Sequence, residues 1–382
     1  MLILSNNDVA SLLSSLNCPQ ILDILDVLAR ALADDTVLQP PRQSFKHPQP
    51  ASATTLVMPT LASSSSSFKI VSLDTSPESK NTSPKGSLLL FSLDGSLDAV
   101  LNATEITGFR TALASMIPVL LRFFPSLVCG KYEQLADGKG PSLKTALIFG
   151  AGLQAEWAAK LLLILCAHNK LYSPRIIIVN RSLDRARELI KKVLVWYEEK
   201  ILHTTDSIPT FESYQLNRCT PQLMLLISEA DAIFCCTPSR DPLFSAVELR
   251  SASALTKTRY ISAIGSYTPD MKEIQPDMLV DKVLKFSTIV DTFEGCKVES
   301  GEIIGAYELL SRSDGPDVSE FGVSEVGVLW NKAKENRFCR EIMENVFYKS
   351  VGTGAMDLAV AKELVKIVRD GNCGTYGVEV PF

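Results

Sequence analysis

Histidine and net positive charge are both scarce in this sequence, and each shortage argues against a class of function. Only three histidines occur in 382 residues, at His47, His168 and His203, and no two are close together. A histidine-based metal site or a Ser/His/Asp triad is therefore poorly supported. Lysines and arginines number 38 against 43 acidic residues, a net charge of −5. Nucleic-acid binding is disfavoured, because it needs a basic surface to neutralise phosphates.

Paired cysteines and long hydrophobic runs are also missing. The nine cysteines include no CxxC spacing and their number is odd, so we expect reduced, mostly buried thiols in a cytoplasmic protein. The N-terminus lacks a basic segment followed by a long apolar run, which argues against a secretory signal. No run of roughly 18 uninterrupted apolar residues occurs, so no transmembrane helix is expected.

The composition that remains is that of a globular protein, and the length favours two domains. Hydrophobic residues make up 46% of the chain and charged residues 21%. Apolar residues at helical spacing predict a helix over 19–33. The segment 39–84 is rich in proline and serine, with short apolar runs between them. Short apolar runs and turn residues predict a β-rich first part, with strands at 54–58, 68–73, 88–93 and 97–101.

The second part of the chain alternates between strand and helix patterns. A long helix is predicted over 103–121, and the tail over 324–368 has helical patterns. Buried strands are predicted at 145–149, 175–179, 232–236 and 260–264, with helices at 154–166 and 183–197. Strands that alternate with helices imply a parallel sheet.

The hexapeptide GAGLQA at 150–155 is typical of a dinucleotide-binding loop, because it lies between a buried strand and a helix. Gly150 permits a tight turn and Gly152 lets the backbone approach a pyrophosphate. Ala155, in place of a third glycine, still allows close packing of helix on strand. The helix N-terminus at Leu153 and Gln154 supplies free N–H groups to the phosphates. The alternative is a glycine turn in an α/β unit that binds nothing.

The end of the next strand favours NADP(H) over NAD(H). An acid there would bind the ribose 2′-hydroxyl of NAD, whereas this chain has Asn180, Arg181 and Ser182, followed by Arg185. No carboxylate repels a 2′-phosphate, and two arginines can pair with it. The alternative for these arginines is a solvated helix start. Thr237 follows a later buried strand, where we expect the chain to pass the nicotinamide ribose.

Seven segments resemble the ornithine cyclodeaminase/μ-crystallin family of NAD(P)-dependent proteins in their order and spacing. They are FKI at 68–70, EITGFRTA at 105–112, GAGLQA at 150–155, ISAIG at 261–265, VD at 290–291, ESGE at 299–302 and KSVG at 349–352. The resemblance implies an α/β fold in which a Rossmann NAD(P)-binding domain is inserted in a β-rich α+β domain. That β-rich domain, 1–122 plus 345–382, would bind substrate and form a homodimer, and 123–344 would bind the dinucleotide.

The resemblance also implies a site for an α-imino or α-amino acid. Arg42 and Arg110 match carboxylate-binding arginines, and Lys69 matches a lysine of the acid/base step. Thr111, beside Arg110, is assigned to the cofactor. A guanidinium holds a carboxylate through two hydrogen bonds, and neighbouring arginines are expected to lower the pKa of the lysine. Without the resemblance, an exposed loop arginine, a surface ion pair and a solvent-facing strand lysine are the ordinary alternatives.

One departure from the family changes the expected reaction. Cyclodeaminases have an aspartate shortly after the Ala-x-Gly turn, whereas Tyr267 stands there and Asp270 lies three residues too late. The sequence therefore predicts an NADPH-dependent α-imino acid reductase, or the reverse amino-acid dehydrogenase, with Tyr267 near the substrate. An amino-acid cyclodeaminase using bound NAD and a cofactor-binding protein with little turnover are the alternatives. Serine-rich insertions before Lys69 and after Thr75 border the expected substrate pocket, which favours a substrate other than the family's usual one.

Overall fold

A computed structural model describes most of the chain and divides it into two compact units. The described residues are 1–48, 53–74, 84–128, 141–170, 174–204, 207–218, 220–251, 254–266, 268–312, 321–337, 339–371 and 376–381. The first unit comprises Met1–Arg110 with Thr353–Phe382, and the second unit comprises Thr111–Gly352. The expected domain limits at 122 and 345 differ from these breaks.

Strands and helices are numbered separately in chain order. The strands are β1 (Leu2–Leu4), β2 (Gln43–Lys46), β3 (Ala53–Ala62), β4 (Ser65–Asp74), β5 (Lys85–Ser92), β6 (Leu97–Asn102), β7 (Thr145–Phe149), β8 (Arg175–Asn180), β9 (Thr210–Gln215), β10 (Ala232–Cys235), β11 (Tyr260–Ala263), β12 (Phe286–Val290), β13 (Val323–Glu325), β14 (Asn345–Lys349) and β15 (Val378–Glu379). The helices are α1 (Asn6–Ser15), α2 (Cys18–Leu32), α3 (Ala103–Phe123), α4 (Leu153–His168), α5 (Leu183–Lys200), α6 (Pro221–Glu229), α7 (Ala246–Leu249), α8 (Phe293–Glu299), α9 (Gly301–Leu310), α10 (Val326–Lys334) and α11 (Gly354–Arg369).

The first unit is built on a seven-stranded sheet in the order β15-β1-β6-β5-β4-β3-β2. Each of the strands β2 to β6 pairs antiparallel with the next one along the chain, and the predicted β-rich first part is confirmed. In the β3–β4 hairpin, Ser67 pairs with Thr60 and Lys69 with Met58, so their side chains share one face. Helix α11 packs on β3, β4 and β5 and on α2. Strand alternation therefore sends Lys69 toward the helix side of the sheet.

The second unit is an all-parallel eight-stranded sheet in the order β13-β12-β14-β11-β10-β7-β8-β9. From β7 the chain first adds β8 and β9 on one side and then β10, β11 and β14 on the other. The carboxyl ends of β7 and β10 therefore lie at the point where the strand order reverses, which is where open α/β sheets bind ligands. The predicted Rossmann domain is confirmed.

The prediction of helical patterns throughout 324–368 was wrong in part. Helices α10 and α11 lie there, but so does strand β14, which pairs in parallel with β11 and β12. Val346, Phe347 and Tyr348 are fully buried within this sheet. A short apolar run fits a buried strand as well as a buried helix, and the sheet decides between them. For the same reason the segment from 345 begins with a strand of the second unit.

Helix α3 is long and apolar enough to cross a membrane, although the sequence predicted no such span. Within its most apolar window, 94% of the residues are buried inside the structure. A core helix has the same length and composition. Helices α1 and α2 pass the same test only as a pair, and that pair is bent by 113°.

Candidate functional site

In the first unit, two cations share one buried carboxylate. The Lys69 Nζ donates to both carboxylate oxygens of Asp357, at 3.0 and 3.1 Å. The Arg110 Nε donates to Asp357 Oδ1 at 3.3 Å. All three side chains are buried, Lys69 to 3% exposure and Asp357 to 1%. The structure thus brings together Lys69 and Arg110, which the sequence assigned to catalysis and carboxylate binding.

The pKa of Lys69 is lowered to about 8, which matches the expected direction. Burial is the largest cause, because it disfavours the charged ammonium. Asp357 opposes this fall in pKa, while the positive charges of Arg110 and Arg42 add to it. Only the effect of the arginines was expected from the sequence, and it is smaller than that of burial.

Asp357 is a site residue that the sequence analysis did not identify. It lies in the first turn of α11, where seven of the first eight residues are apolar or glycine and all eight are buried. Gly354 brings this turn against β3, because a Cβ on Gly354 would lie 1.9 Å from the Thr60 Oγ1. An isolated acid within a buried apolar helix face was the available signal, since such a charge needs a partner.

The remaining residues assigned to the substrate are less closely defined. Arg42 is half-buried in the loop before β2, close enough for its charge to lower the pKa of Lys69. Tyr267 lies outside the described residues. Thr111, which was assigned to the cofactor, is buried in α3 at the start of the second unit.

A row of buried hydroxyls lies on the same sheet face as Lys69. Ser65 and Ser67 precede Lys69 at two-residue spacing on β4, and Thr60 is the cross-strand partner of Ser67. These hydroxyl oxygens are buried and have no hydrogen-bond partner in the described part of the chain. The strand predicted at 68–73 begins earlier than expected, because only the first two residues of the serine run 63–67 form the turn and the rest begin β4.

In the second unit, the predicted dinucleotide loop forms an open cradle between β7 and α4. Gly150 has a φ of +113°, and a Cβ there would lie 2.8 Å from the Cys236 carbonyl oxygen. Gly152 is the N-cap of α4 and has no side-chain cap. Beyond its own chain neighbours and helix backbone, no atom of the described residues lies within 4 Å of where a Cβ would stand. Leu153 and Gln154 open the helix, and Ala155 is fully buried as its packing role requires. The free backbone N–H groups of this turn suit a phosphate.

The residues expected to select the cofactor begin at Asn180, the last residue of β8, which pairs with β7. The Asn180 Nδ2 donates to the Ser182 carbonyl oxygen at 2.9 Å, and the Ser182 hydroxyl accepts from the Arg185 N–H at 3.3 Å to cap α5. The side chains of Arg181 and Arg185 are exposed. Neither guanidinium has an ion-pair partner within the described ranges. Both arginines are therefore open to an anion.

Thr237 is held by a carboxylate that the sequence analysis did not single out. The Glu273 Oε1 accepts hydrogen bonds from the Thr237 N–H at 2.7 Å and from the Thr237 hydroxyl at 3.3 Å. The other oxygen, Oε2, accepts one from the Gly265 N–H at 2.8 Å. Burial raises the pKa of Glu273 and the nearby charge of Glu302 adds to this rise, whereas the charge of Lys349 and the hydrogen bonds from the Thr237 and Gly265 backbone lower the pKa and favour the carboxylate form. Glu273 is an acid in an irregular segment, and no local pattern marked it.

Glu273 belongs to a buried ionic cluster. The Lys349 Nζ lies 3.2 Å from Glu302 Oε2 and also donates to the Ser266 hydroxyl. The Glu302 Oε1 accepts the Glu273 N–H at 2.7 Å. Burial alone would lower the pKa of Lys349, but the charges of Glu302 and Glu273 outweigh burial and raise it. Segments 299–302 and 349–352, which carried the family resemblance, thus meet in one network.

Three curated proteins are similar to this chain over most of its length, although no protein-family model matches it. The uncharacterized protein YGL159W of Saccharomyces cerevisiae is 30% identical over 72% of this chain and 71% of its own. An uncharacterized cyclodeaminase of Dictyostelium discoideum is 27% identical over 75% of this chain and 70% of its own. The Delta(1)-pyrroline-2-carboxylate reductase of Bacillus thuringiensis is 24% identical over 97% of this chain and 98% of its own.

Solved structures resemble the whole chain in fold. The Thermococcus litoralis Delta(1)-pyrroline-2-carboxylate reductase, in complex with NADH and L-proline, superposes with a TM-score of 0.72 at 20% identity, covering 100% of both chains. An archaeal alanine dehydrogenase dimer with bound NAD has a TM-score of 0.70 at 20% identity, covering 100% of this chain and 99% of its own. At this identity the likeness establishes the fold alone.

Proposed function

This chain belongs to the ornithine cyclodeaminase/μ-crystallin family, and we propose that it is an NADPH-dependent reductase of an α-imino acid. The observation that carries the proposal is the charge imbalance in the first unit. Among the described residues, Lys69 and Arg110 both form ion pairs with one carboxylate, Asp357, which gives two positive charges against one negative charge. Such a surplus favours an anionic ligand, and the carboxylate of an imino acid fits it. The similarity to a pyrroline-2-carboxylate reductase over nearly the whole chain supports this substrate class.

The reaction needs a hydride at the imine carbon and a proton at the imine nitrogen. The reduced dinucleotide, when bound, supplies the hydride. Arg110 and Arg42 hold the substrate carboxylate and so orient the imine. The Lys69 ammonium gives its proton to the nitrogen, which becomes an amine as Lys69 becomes neutral. A lysine with a pKa of about 8 is still protonated at neutral pH and releases its proton readily, as general acid catalysis requires.

The second unit fits a nicotinamide dinucleotide. Gly150 and Gly152 leave room for a pyrophosphate at the uncapped N-terminus of α4. Arg181 and Arg185 are exposed after the adjacent strand and suit the 2′-phosphate of NADPH. NADPH is therefore the proposed cofactor, with NADH the less favoured one.

Reduction of a cyclic imino acid tests the function directly. The purified protein is mixed with NADPH and 1-pyrroline-2-carboxylate or 1-piperideine-2-carboxylate, and absorbance at the nicotinamide band is followed. We expect consumption of NADPH that depends on the imine. If no cyclic imine, and no pyruvate with amine, oxidises NADPH or NADH, the proposal is wrong.

The choice of cofactor has its own test. Replacing both arginines in Arg181→Ala/Arg185→Ala should raise the KM for NADPH roughly tenfold or more, since two charge-assisted contacts are lost. The KM for NADH should hardly change, because NADH has no 2′-phosphate. An Arg187→Ala variant on the same helix, where Arg187 pairs with Asp184, serves as the control. Equal effects on both dinucleotides would contradict the assignment.

A cyclodeaminase is the second candidate, favoured by the similarity to an uncharacterized cyclodeaminase. Such a lyase would release ammonia from ornithine or lysine and use NAD catalytically, without net formation of NADH. The sequence argues against it, because Tyr267 replaces the family's aspartate. Ammonia release measured with ornithine and with lysine decides between the two, and release without net NADH would establish the lyase.

A homodimer is proposed to form through the open face of the first sheet. The face opposite Lys69 presents Phe45, Leu61 and Ile70 with 53%, 41% and 39% exposure. An apolar sheet face of this kind favours burial against a second copy. Sedimentation equilibrium should give a dimer for the native chain and a monomer for Phe45→Asp/Ile70→Asp. Val195→Asp, at an exposed apolar position on α5, is the matched control.

A cytoplasmic location is also proposed. The described cysteines Cys18, Cys166, Cys235, Cys236, Cys296 and Cys339 are buried and free. Free thiols of this kind suit a reducing compartment. Cell fractionation with an antibody against the chain should find it in the cytosolic fraction, and recovery with membranes or in the medium would contradict the proposal.

A further inference from the structure

One buried carboxylate ties together two loops at the carboxyl edge of the second sheet. Cys236 and Thr237 follow β10, and Ile264 and Gly265 follow the neighbouring strand β11. Glu273 accepts hydrogen bonds from the backbone of both loops, with one oxygen for each N–H, at 2.7 and 2.8 Å. The two loops are thereby held at a fixed spacing by a single side chain.

The loops are also in direct contact, which requires glycine at 265. A Cβ on Gly265 would lie 2.2 Å from the Thr237 nitrogen and 2.4 Å from its carbonyl oxygen. On the other side, Gly150 of the dinucleotide cradle faces the Cys236 carbonyl and the Thr237 side chain. The loop that Glu273 holds therefore forms one wall of the predicted cradle.

We propose that Glu273 is a positioning residue for the nicotinamide half of the dinucleotide. It acts through Thr237 and Gly265, whose backbones it fixes where the dinucleotide passes from its phosphates to its nicotinamide. This inference rests on the proposed function. It assigns Glu273 no contact with the cofactor or the substrate.

The chemistry of the carboxylate explains why glutamate serves here. Both of its oxygens accept, so both backbone donors are satisfied. An isosteric glutamine has one oxygen and one NH2 group, and the NH2 group would face a backbone N–H donor. One of the two loops would then lose its bond and leave a buried N–H without a partner, which is costly.

The surrounding cluster holds Glu273 in this orientation. The backbone N–H of Glu273 donates to Glu302, which pairs with Lys349 at the end of β14. Ser300 donates to the second oxygen of Glu302 at 3.0 Å. Through Glu302 and Lys349, the two loops are therefore connected to the carboxyl end of β14, a third strand of the same sheet.

The test compares Glu273→Gln with the native chain by calorimetry, using NADPH and the fragment adenosine 2′,5′-bisphosphate, which lacks nicotinamide. We expect the Kd for NADPH to rise roughly tenfold, as for the loss of a buried hydrogen bond to a charged acceptor. The Kd for the fragment should stay within about twofold of the native value. Equal NADPH affinity in the variant and the native chain, or an equal loss for both ligands, would overturn the inference.

Asp231→Asn is the matched control for a purely structural role. Asp231 is also a buried acid that accepts two backbone N–H groups, from Lys144 and Thr145 at 2.8 and 2.9 Å, and it pairs with Lys257. It lies at the amino end of the same sheet. The variant should unfold at a lower temperature while binding NADPH as the native chain does. A weaker NADPH affinity in this control, equal to that of Glu273→Gln, would count against the inference.

Gly265→Ala provides a second test that leaves the buried charge in place. The added methyl group separates the two loops. As for Glu273→Gln, we expect weaker binding of NADPH and unchanged binding of the fragment. Native NADPH affinity in this variant would also overturn the inference. Failure of the native chain to bind any nicotinamide dinucleotide would instead refute the proposed function.

Discussion

Each unit of the molecule buries a lysine against carboxylates, but the two lysines are perturbed in opposite directions. In the first unit, Lys69 and Arg110 share the single carboxylate of Asp357. In the second unit, Lys349 faces two carboxylates, those of Glu302 and Glu273. Both lysines are buried, at 3% and 0% exposure. The pKa of Lys69 is lowered to about 8 by burial, whereas the acids raise the pKa of Lys349.

The ratio of charges accounts for this difference, because burial alone would lower the pKa of both lysines. A cluster with surplus cations has capacity for an anionic ligand and holds a proton that it can release. In a cluster with surplus carboxylates the lysine stays charged, and its charge neutralises acids that accept hydrogen bonds from the backbone. Buried lysines therefore differ in role according to their neighbours, and burial by itself does not identify a catalytic one.

The largest effect is expected from removing the lysine of the first cluster. Lys69→Ala removes the proton donor, so kcat for imine reduction should fall by roughly 10²–10⁴-fold. NADPH affinity should remain nearly unchanged, since Lys69 belongs to the first unit. Steady-state kinetics and calorimetry measure the two quantities. A variant with full activity would show that Lys69 has another role.

Removing the lysine of the second cluster, Lys349, is expected to act mainly on the stability of the fold. Lys349→Met leaves Glu302 and Glu273 buried without their counterion, which should lower the free energy of unfolding by about 3–5 kcal/mol. Urea unfolding followed by circular dichroism gives this value. A loss as small as that of the exposed Lys366→Met would contradict the proposed difference between the clusters.

The pH dependence should separate the clusters further. Reduction requires the protonated Lys69, so kcat/KM should fall as the pH rises through about 8, and the reverse oxidation should gain over the same range. Asp357 raises the pKa of Lys69, so Asp357→Asn should shift this fall in kcat/KM to lower pH by on the order of one pH unit. Glu363→Gln on the same helix is the control. If the pH dependence of kcat/KM is the same in Asp357→Asn as in the native chain, the titrating group is not Lys69.

The smallest effect concerns buried serines. Ser65 has no hydrogen-bond partner in the described structure, so Ser65→Ala should leave the free energy of unfolding unchanged or slightly higher. Ser300 donates to Glu302 and caps α9, so Ser300→Ala should cost about 1–2 kcal/mol. Thermal unfolding of both variants checks this contrast. Equal losses of stability in the two variants would mean that the Ser65 hydroxyl does form a hydrogen bond in the folded protein.

The fold was predictable where the signal was local and uninterrupted. Strand β7 has only five residues, but the glycine loop that follows it marks it as a strand, so it was predicted with its observed bounds. Helices α4 and α5 were predicted within a few residues because they are long. Strand β14 was missed because five residues give too little periodicity to separate strand from helix. Its position is decided by pairing with β11 and β12, which are distant in sequence.

By itself, the sequence determined the dinucleotide loop, the presence of Asn180 instead of an acid at the end of β8, and the candidate cations Arg42, Lys69 and Arg110. Only the tertiary structure brought Asp357 to Lys69, from 288 residues away, and placed Glu273 between two loops. The physical reason is that loop and strand signals depend on neighbours along the chain. A buried charge is defined by its partners, and those partners are chosen by the packing of distant elements.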